Sequence, residues 1–446
     1  MAVTVPMTLC TWLLLGAAEA PAPAAPEDRP EPSLDWSLSR MMEDALGAPR
    51  EREASGTAWQ PATTPMMAHH FHAAGWMLML HYGVSAGVDV QLSQRGATAV
   101  TSANWLMAMA DHSLFGGRFS ARTMLTLEPF TAGGPGFPLL LQSGETYLGQ
   151  PLHDYQHPHD LFMELAVSYQ RAITRDLGFE LYAAPAGEPA LGPPAFMHRL
   201  SASTDPLPPL GHHWQDSTHI SFGVLTAGLF TRFAKLEASW FNGREPDEFR
   251  WDFDLAPFDS WSARLQVAPF DWLTAQISHG FLQQPEALAP LNTIQRTTAS
   301  VMVVQHPLRR ATVAVTGAWG HNVGSLEPPS NAFLLETHLS YARNTLYLRA
   351  EAVQKYGHDL VLAFDPQLFN ERLWVGVLAL GYQRELVSLG PVVIGAGARV
   401  AVNLLSPQLV PYYGTRLPLG GMAFLHLRPE LLPGQARRLG LDVAAD

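Results

Sequence analysis

The sequence predicts an all-β protein, an antiparallel transmembrane β-barrel of about 16 strands with short periplasmic turns and long extracellular loops. Three observations predict this fold class. Apolar and polar residues alternate over runs of about 9 to 15 positions from Gly75 onward, which indicates strands with two unlike faces. Tight connections alternate with long ones. Only 15% of the 446 residues are charged and 47% are hydrophobic, yet no apolar run reaches the roughly 18 residues of a spanning helix.

The alternation assigns two different faces to each predicted strand. In the stretch "FLLETHLSY", Phe333, Leu335 and Leu339 fall on one face, while Glu336 and His338 fall on the other. A water-soluble sandwich would also alternate, with its apolar face in the core. The predicted strands are 75–93, 100–114, 117–130, 161–173, 176–185, 217–232, 234–242, 259–268, 271–282, 296–306, 310–320, 331–341, 344–356, 371–385, 388–403 and 417–428.

The lengths of the connections favour a membrane barrel over a sandwich. Every second connection is tight, such as "FGG" near 115 and "ARN" at 342. The others are longer and include 131–160, 186–216, 243–258 and 357–370. Outer-membrane barrels keep tight turns in the periplasm and long loops outside, whereas a sandwich has no reason to keep this alternation. We therefore expect the apolar face to contact lipid and both termini to lie in the periplasm, which localises the protein to the bacterial outer membrane.

The polar face then lines the lumen. Charges of both signs lie on it, and unpaired charges in a dry interior each cost several kcal/mol, so a hydrated lumen or internal ion pairs are required. Each such charge can serve as a cross-barrel ion pair rather than as a solute contact. The predicted pore-lining residues are Arg118, Arg122, Glu128, Glu164, Glu237, Arg264, Glu336, His338, Arg349, Glu351, Lys355 and Arg399.

The chain outside the barrel has its own composition. Residues 1–20, "MAVTVPMTLCTWLLLGAAEA", have an apolar stretch before Ala18-Glu19-Ala20, which is typical of a signal peptide with its cleavage site. Residues 21–64 begin with a Pro/Ala-rich stretch that predicts a solvated tether, followed by a possible short helix. The barrel is expected over 65–429, with a C-terminal tail over 430–446. The only cysteine, Cys10, lies in the leader, which excludes disulfides and thiol chemistry from the mature chain.

The charge balance limits the partners. Lys and Arg total 28 against 40 acidic residues, giving a formal net charge of −12. Such a chain offers no basic surface for a nucleic-acid backbone, so nucleic acid is excluded as a partner. The expected partners are outer-membrane lipid and small solutes or ions. The sequence does not determine the oligomeric state.

Histidine-rich stretches are the candidate metal sites. "HDYQHPHD" closes one long loop and supplies His153, Asp154, His157, His159 and Asp160. "GHHWQDSTH" closes the next long loop and supplies His212, His213 and His219. Both stretches are expected at the extracellular rim, where they could converge. No cofactor is required by the sequence, but imidazole and carboxylate would suit copper or zinc, and nickel also fits this donor set.

Two other interpretations of these stretches remain open. His, Asp and Pro at strand entries also form turns and hydrogen bonds that hold loops down on a barrel. A hydrolase could be built from Ser143 with His153 and Asp154, although the stretch "LLLQSGETY" has no nucleophile-elbow motif. A further group, "MMAHHFH" at 66–72, combines thioether with imidazole, which favours copper, and is expected on the periplasmic side.

The stretches "LLLQSGETYLGQPLHDYQHPHDLFMELAVSY", "YAAPAGEPALGPPAFMHR", "GHHWQDSTHISFGVLTAGLFT" and "LEASWFNGREPDEFRWDFD" resemble a family of uncharacterised exported bacterial proteins, sometimes found alongside metal-handling functions. The resemblance covers about Gly75 to Pro429 and implies an exported barrel, with no assigned site residues. More loosely, the Met- and His-rich segment before the barrel resembles that of outer-membrane copper-resistance proteins, but it is short and lacks their repeated motifs.

The sequence therefore predicts a porin-like channel for small solutes or ions, and not an enzyme. The first alternative is a metal-binding outer-membrane protein that captures copper or zinc with its rim loops. The second is an outer-membrane hydrolase.

Overall fold

The computed structural model describes residues 42–362 and 365–441. Its strands are β1 His69–Ala73, β2 Trp76–Leu92, β3 Thr98–Leu114, β4 Gly117–Leu125, β5 Phe137–Tyr147, β6 Gln150–Gln156, β7 Phe162–Ala172, β8 Gly178–Gly187, β9 Ser221–Phe230, β10 Ala234–Phe241, β11 Ser260–Phe270, β12 Leu273–Gln283, β13 Thr293–Leu308, β14 Ala311–Gly324, β15 Ser330–Tyr341, β16 Asn344–Tyr356, β17 Arg372–Leu389, β18 Val392–Leu405 and β19 Leu419–Pro429. The α-helices are α1 Glu128–Thr131, α2 His212–Gln215, α3 Val410–Tyr413 and α4 Pro433–Arg438, and 3-10 turns span Arg50–Arg52, Phe196–His198, Ser217–His219 and Pro407–Leu409.

Sixteen antiparallel strands close into a barrel, as the sequence predicts. The ring runs through β2, β3, β4 and β7 to β19, and β19 pairs back onto β2 from Leu419 opposite Leu92 to Leu427 opposite Val84. The first part of β2 pairs with β1, which lies on the same side of β2 as β19 and beyond its end. The strands β5 and β6 form a separate hairpin within the long connection between β4 and β7. Closure leaves no free sheet edge in the wall.

The two faces of the wall are inverted relative to a soluble protein. Along β11, Trp261 and Leu265 are exposed on the outside, whereas Ser262 and Arg264 are buried on the inside. Leu, Val and Trp side chains on the outer face of the other strands are likewise exposed. An exposed apolar belt around a polar interior is the arrangement of a membrane-spanning barrel. The predicted fold class and outer-membrane localisation are therefore confirmed.

Tight and long connections alternate as predicted. The tight turn between β3 and β4 consists of Phe115 and Gly116, both with positive φ (47° and 72°), which matches the twist of a two-residue hairpin. The long connections at the other end include 126–161, 188–220, 242–259 and 357–371. Among the described residues, no helix is both long and apolar enough to cross a bilayer. The predicted leader, 1–20, and the first part of the tether lie outside the described residues.

The N-terminal segment from residue 42 to residue 64 packs inside the barrel, whereas the chain up to residue 64 was expected outside the core fold. Arg50 and Trp59 are only 1% and 4% exposed. Inner-wall residues hold this segment: Lys235 donates to the carbonyl of Thr57, and the backbone N–H of Trp59 donates to Gln266 Oε1 at 2.7 Å. The segment has few apolar residues and many polar ones. It can pack inside the barrel because the charged inner wall supplies partners for those polar residues.

The connection 188–220 also enters the lumen instead of extending outward. Two of its backbone N–H groups donate to side chains of the inner wall. The N–H of Ala190 donates to Ser239 at 2.7 Å, and that of Gly211 donates to Glu351 at 2.8 Å. The connection therefore crosses the barrel from β10 to β16. At the tight-turn end, α4 of the C-terminal tail closes on the N-terminal segment, since Gln435 donates to Glu51 Oε1 at 3.1 Å.

The face assignment makes a direct stability prediction. Leu335 lies at the middle of β15 on the outer face, and Tyr341 lies at its tight-turn end. We expect Leu335→Arg to lower the free energy of unfolding by about 2–4 kcal/mol and Tyr341→Arg by about 0–1 kcal/mol, because the cost of a cation on the lipid face rises toward the bilayer midplane. Urea unfolding in lipid vesicles measures both values. Equal costs would contradict the proposed depth of β15.

Candidate functional site in the lumen

The segments inside the barrel leave a cavity of about 340 Å³. Its lining reaches Arg309 and Arg343 in the tight turns at one end, and Glu128 and His159 beneath the long loops at the other. The cavity thus extends along most of the barrel's length, beside the inserted segments. Its lining includes polar side chains, which can solvate ions, and apolar side chains.

All twelve predicted pore-lining residues are buried, but only Glu128 and His338 border the cavity. Glu128 does so from helix α1, because β4 ends at Leu125 rather than continuing to residue 130. The remaining ten are engaged with inserted segments or with neighbouring strands. For those ten, the prediction of contact with a pore is not supported, because the loops occupy the space that an open pore would leave to water.

An ion-pair network at the centre of the barrel fixes the 188–220 connection. Arg199 from this connection forms a two-pronged pair with Glu336 on β15, with both N···O distances at 3.0 Å. Arg199 also pairs with Asp216. Asp205 of the same connection accepts from Arg399 at 3.1 Å and lies 3.2 Å from Arg349. Loop charges and wall charges neutralise one another across the lumen.

Other wall charges hold the N-terminal segment and the β5–β6 hairpin. Arg118 on β4 pairs with Glu53. Arg264 on β11 pairs with Glu237 on β10 at 2.9 Å and donates to Thr57 Oγ1 of the N-terminal segment at 3.2 Å. Lys355 donates to Ser143 Oγ on β5 at 2.8 Å. The predicted lumen charges are therefore mainly structural anchors. Arg122 pairs with Glu164 at 3.1 Å, and Glu351 accepts from the backbone of the 188–220 connection.

The two histidine stretches converge, as the sequence suggested, into a row of five imidazoles inside the loops. The order along the row is His159, His219, His212, His213 and His157. Successive ring centroids are 5.2, 5.1, 5.6 and 6.3 Å apart. We call these five residues the histidine row. It is buried under the loops, not displayed on the rim, and His159 at its end also borders the cavity.

Acidic and carbonyl oxygens orient the rings. Glu128 accepts from His159 Nδ1 at 2.7 Å. Asp216 accepts from His212 Nδ1 with its carboxylate at 2.7 Å and from His219 Nδ1 with its carbonyl oxygen at 2.8 Å. In these three rings the acceptor therefore engages Nδ1, so Nε2 is the other ring nitrogen. Ligating histidines in metal sites are held in the same way, by an oxygen acceptor on the far nitrogen.

The free nitrogens of the row are available as neutral donors. Nε2 of His159, His213 and His219 is buried and has no hydrogen-bond partner among the described residues. Burial lowers the pKa of the His219 imidazole well below its usual range, and the neighbouring rings of His212 and His159 lower it further. The pKa of His212 is lowered by burial too, although Asp216 opposes the shift. Neutral imidazole is the form that binds a metal ion.

The remaining predicted ligands behave differently. His157 Nε2 lies 3.0 Å from Glu145, so that ring is already engaged at both nitrogens. Asp160 pairs with Arg250 at 3.3 Å, and burial raises the pKa of Asp160 to about 7, while Arg250 opposes the shift. The rings in the row are not drawn around one point. Within the described part of the chain, the group of three His, Cys, Asp or Glu side chains whose ligand atoms all lie within 4.8 Å of one another is Asp247, Asp252 and Asp254, which are not part of the row.

His153 and Asp154 do not join the row, which corrects the predicted eight-residue metal set. Asp154 pairs with Arg95 at 2.8 Å and accepts from Tyr413 at 2.9 Å, and His153 is bonded to the same Asp154. Asp154 has a positive φ (58°) within β6. Its contacts with Arg95 and Tyr413 hold this part of the stretch away from the histidine row.

Among the described residues, no hydrogen bond joins the Ser143 hydroxyl to the His153 ring. Ser143 and His153 are opposite each other in the β5–β6 hairpin, but the Ser143 hydroxyl accepts from Lys355 and the His153 ring faces Asp154 and Arg95. Sequence reasoning also missed a set of Met and His side chains on the inner faces of β2 and β3. Their signal was the spacing of Met77, Met79 and His81 at every second position.

Comparisons with known proteins find no sequence relative and only remote structural similarity. No protein-family model matches the chain, and no curated protein matches it. Solved structures that align include the anion-selective porin from Comamonas acidovorans, at 8% identity and a TM-score of 0.45 over 79% of this chain and 99% of that one. The outer-membrane channel DcaP of Acinetobacter baumannii aligns at 7% identity and a TM-score of 0.44, covering 80% of this chain and 98% of that one.

The central ion-pair network generates a stability prediction. Arg199→Met removes the cation shared by Glu336 and Asp216 and leaves two buried carboxylates without it. We expect a loss of about 3–5 kcal/mol in the free energy of unfolding, as for other broken buried pairs. The matched control is Arg244→Met, whose side chain is 41% exposed and 3.9 Å from Asp259; its loss should stay below about 1 kcal/mol. Urea titration in detergent micelles measures both. Similar losses in the two variants would contradict the anchoring role.

Proposed function

We propose that this barrel is a narrow outer-membrane channel for small solutes or ions. The observation that carries the proposal is the cavity that extends between the tight turns and His159. A porin of this strand number encloses an open aqueous channel unless loops fill it. Here loops and the N-terminal segment fill most of the interior and reduce the passage to the cavity beside them. Such a passage favours small, partly dehydrated solutes over general diffusion.

Charge and polarity along the cavity support the passage of ions. Glu128 and Asp205 border it, and so do Arg309 and Arg343 near the tight turns. Mixed charges and imidazoles can replace part of an ion's hydration shell, which a purely apolar constriction cannot do. On the outside of the barrel, the apolar belt contacts lipid. Because the barrel contains no cysteine, a single introduced cysteine can be used to probe the passage with a thiol reagent.

Blocking by a thiol reagent tests the proposed channel. Ser340 lines the cavity near the tight turns, whereas its neighbour Leu339 is 45% exposed on the outer face. In a chain that starts after residue 20, Ser340→Cys is the only thiol. We expect a cationic methanethiosulfonate to reduce single-channel conductance by about half or more in Ser340→Cys, and to leave Leu339→Cys unchanged. A parent protein without conductance in planar bilayers, or equal block of the two variants, would contradict the channel.

A second candidate function, metal binding by the histidine row, has its own support. Three buried imidazoles with free Nε2 atoms and oxygen-held Nδ1 atoms form the donor type that copper and zinc prefer. The rings would need to shift to surround one ion. The position of His159, shared by the row and the cavity, would place such an ion at the loop end of the passage.

Zinc uptake tests this second candidate. We expect His159→Ala with His219→Ala to weaken Zn²⁺ binding at pH 7.5 by at least ~10-fold, while His279→Ala on the outer face leaves it unchanged. Protons compete with the metal for imidazole. Because burial lowers the ring pKa values of His219 and His212, binding should persist at pH 6.5 and fall only at lower pH. Calorimetric titration measures both effects, and equal binding by parent and double variant would exclude the site.

A further inference from the structure

One sector of the inner wall is lined by sulfur and imidazole instead of charged and hydroxyl groups. On β2 and β3 the inward positions include Met79 and His81, and Met107 and Met109. On β12, by contrast, the inward positions are Thr274, Gln276 and Ser278, which represents the usual wall of this barrel. Met79, His81, Met107 and Met109 all border the cavity.

The strand register brings these groups into one patch. Met79 is the cross-strand partner of Met109, and His81 is the partner of Met107. Such partners have Cβ atoms about 4.5–5.5 Å apart. Met163 on β7 packs in the same cluster as Met107 and also lines the cavity. Thioethers from three strands therefore face one part of the cavity.

The 188–220 connection covers the patch with a second imidazole. Met197 packs against the methionine cluster, and His198 follows it along the 3-10 turn. The His198 ring lies 6.2 Å from the His81 ring, between centroids, with Trp105 packed 4.6 Å from His81 and 5.4 Å from His198. No hydrogen bond to either imidazole is formed within the described residues. Both rings therefore keep their donor nitrogens free at the cavity.

Ordinary core packing does not account for this arrangement. Methionine fills irregular gaps in apolar cores, and part of the cluster, such as Met124, does so here. A packing role would not need two imidazoles without hydrogen bonds in contact with the same indole. Among the described residues, the ring nitrogens of His81 and His198 are not buried atoms without partners. They border the cavity, so a ligand there can reach both rings.

We propose that His81, His198, Met107 and Met163 form a binding site for a soft monovalent cation, Cu⁺ or Ag⁺, in the lumen. Thioether and neutral imidazole are the ligands that select such ions over hard divalent cations. The electron-rich face of Trp105 adds a favourable interaction with a cation close by. No ligand of the set carries charge, so the site holds a single positive charge more readily than a double one.

The site lies in the same cavity that ends at His159, so the inference names an ion class for the proposed channel. Its role in transport rests on that proposed function, but binding does not. The test therefore measures binding to the full-length barrel in detergent, which can succeed even if the protein proves not to conduct. Ag⁺ is the probe because it does not change oxidation state under aerobic conditions.

The decisive variant is Met107→Leu with Met163→Leu, which removes two thioethers while nearly conserving side-chain volume. The matched control is Met302→Leu with Met422→Leu, two buried methionines away from the cavity lining. We expect competition titration to show at least ~10-fold weaker Ag⁺ binding in the first double variant and unchanged binding in the control. His198→Gln should weaken binding similarly and can be made without touching a strand.

X-ray absorption of the Cu⁺-loaded parent gives an independent readout, with sulfur and nitrogen scatterers both expected around the metal. Three results would overturn the inference. The parent binds no Ag⁺ in the presence of a moderate competitor; the two double variants bind equally; or the metal in the parent has nitrogen neighbours alone, which would assign the ion to the histidine row.

Discussion

Every charge on the inner wall of this barrel needs a counter-charge or water, and the chain supplies counter-charges from its own segments. Arg199 placed between Glu336 and Asp216 is the clearest case, since all three side chains are at most 2% exposed. Separating such partners would leave an uncompensated buried charge, which is far more costly than exposing a surface pair. The position of the 188–220 connection, and through it the size and lining of the cavity, depends on this network.

The filled interior explains why chemistry is concentrated along one side. Inserted segments contact the wall at strands such as β4, β10, β11, β15 and β16, whereas the Met and His side chains at the cavity lie on β2, β3 and β7. Its loop end meets the histidine row at His159, and its middle passes the Met and His patch around Trp105. Imidazole at the loop end and thioethers with imidazoles in the middle therefore border the same cavity. A channel for small ions and a protein that holds metal ions within its lumen are compatible descriptions of that geometry.

The sequence was sufficient for the wall and insufficient for the interior. Strand periodicity is local, so the sixteen strands, their faces and the short turns could be predicted, with most boundaries displaced by only a few residues. The error at Glu128 arose because Pro129 and the helix α1 interrupt an alternation that continues in the letters. The alternation in the sequence is the same whether an inward Arg or Glu contacts water or a loop. The packing of residues 42–64 and 188–220 therefore could not be predicted. The convergence of His159 with His212 and His219 followed from loop placement, whereas the separation of Asp154 depended on Arg95, a residue far away in sequence.

Hydrogen exchange of the protein in lipid nanodiscs tests the filled lumen most directly. Backbone amides of the 188–220 connection donate to wall residues such as Ser239, Ser278 and Glu351. We expect peptides from 196–211 to exchange almost as slowly as the barrel strands and far more slowly than the loop 284–292, where Leu288 and Leu291 are exposed. Exchange of 196–211 as fast as that of 284–292 would contradict the filled lumen, because it would mean that the connection lies outside the barrel.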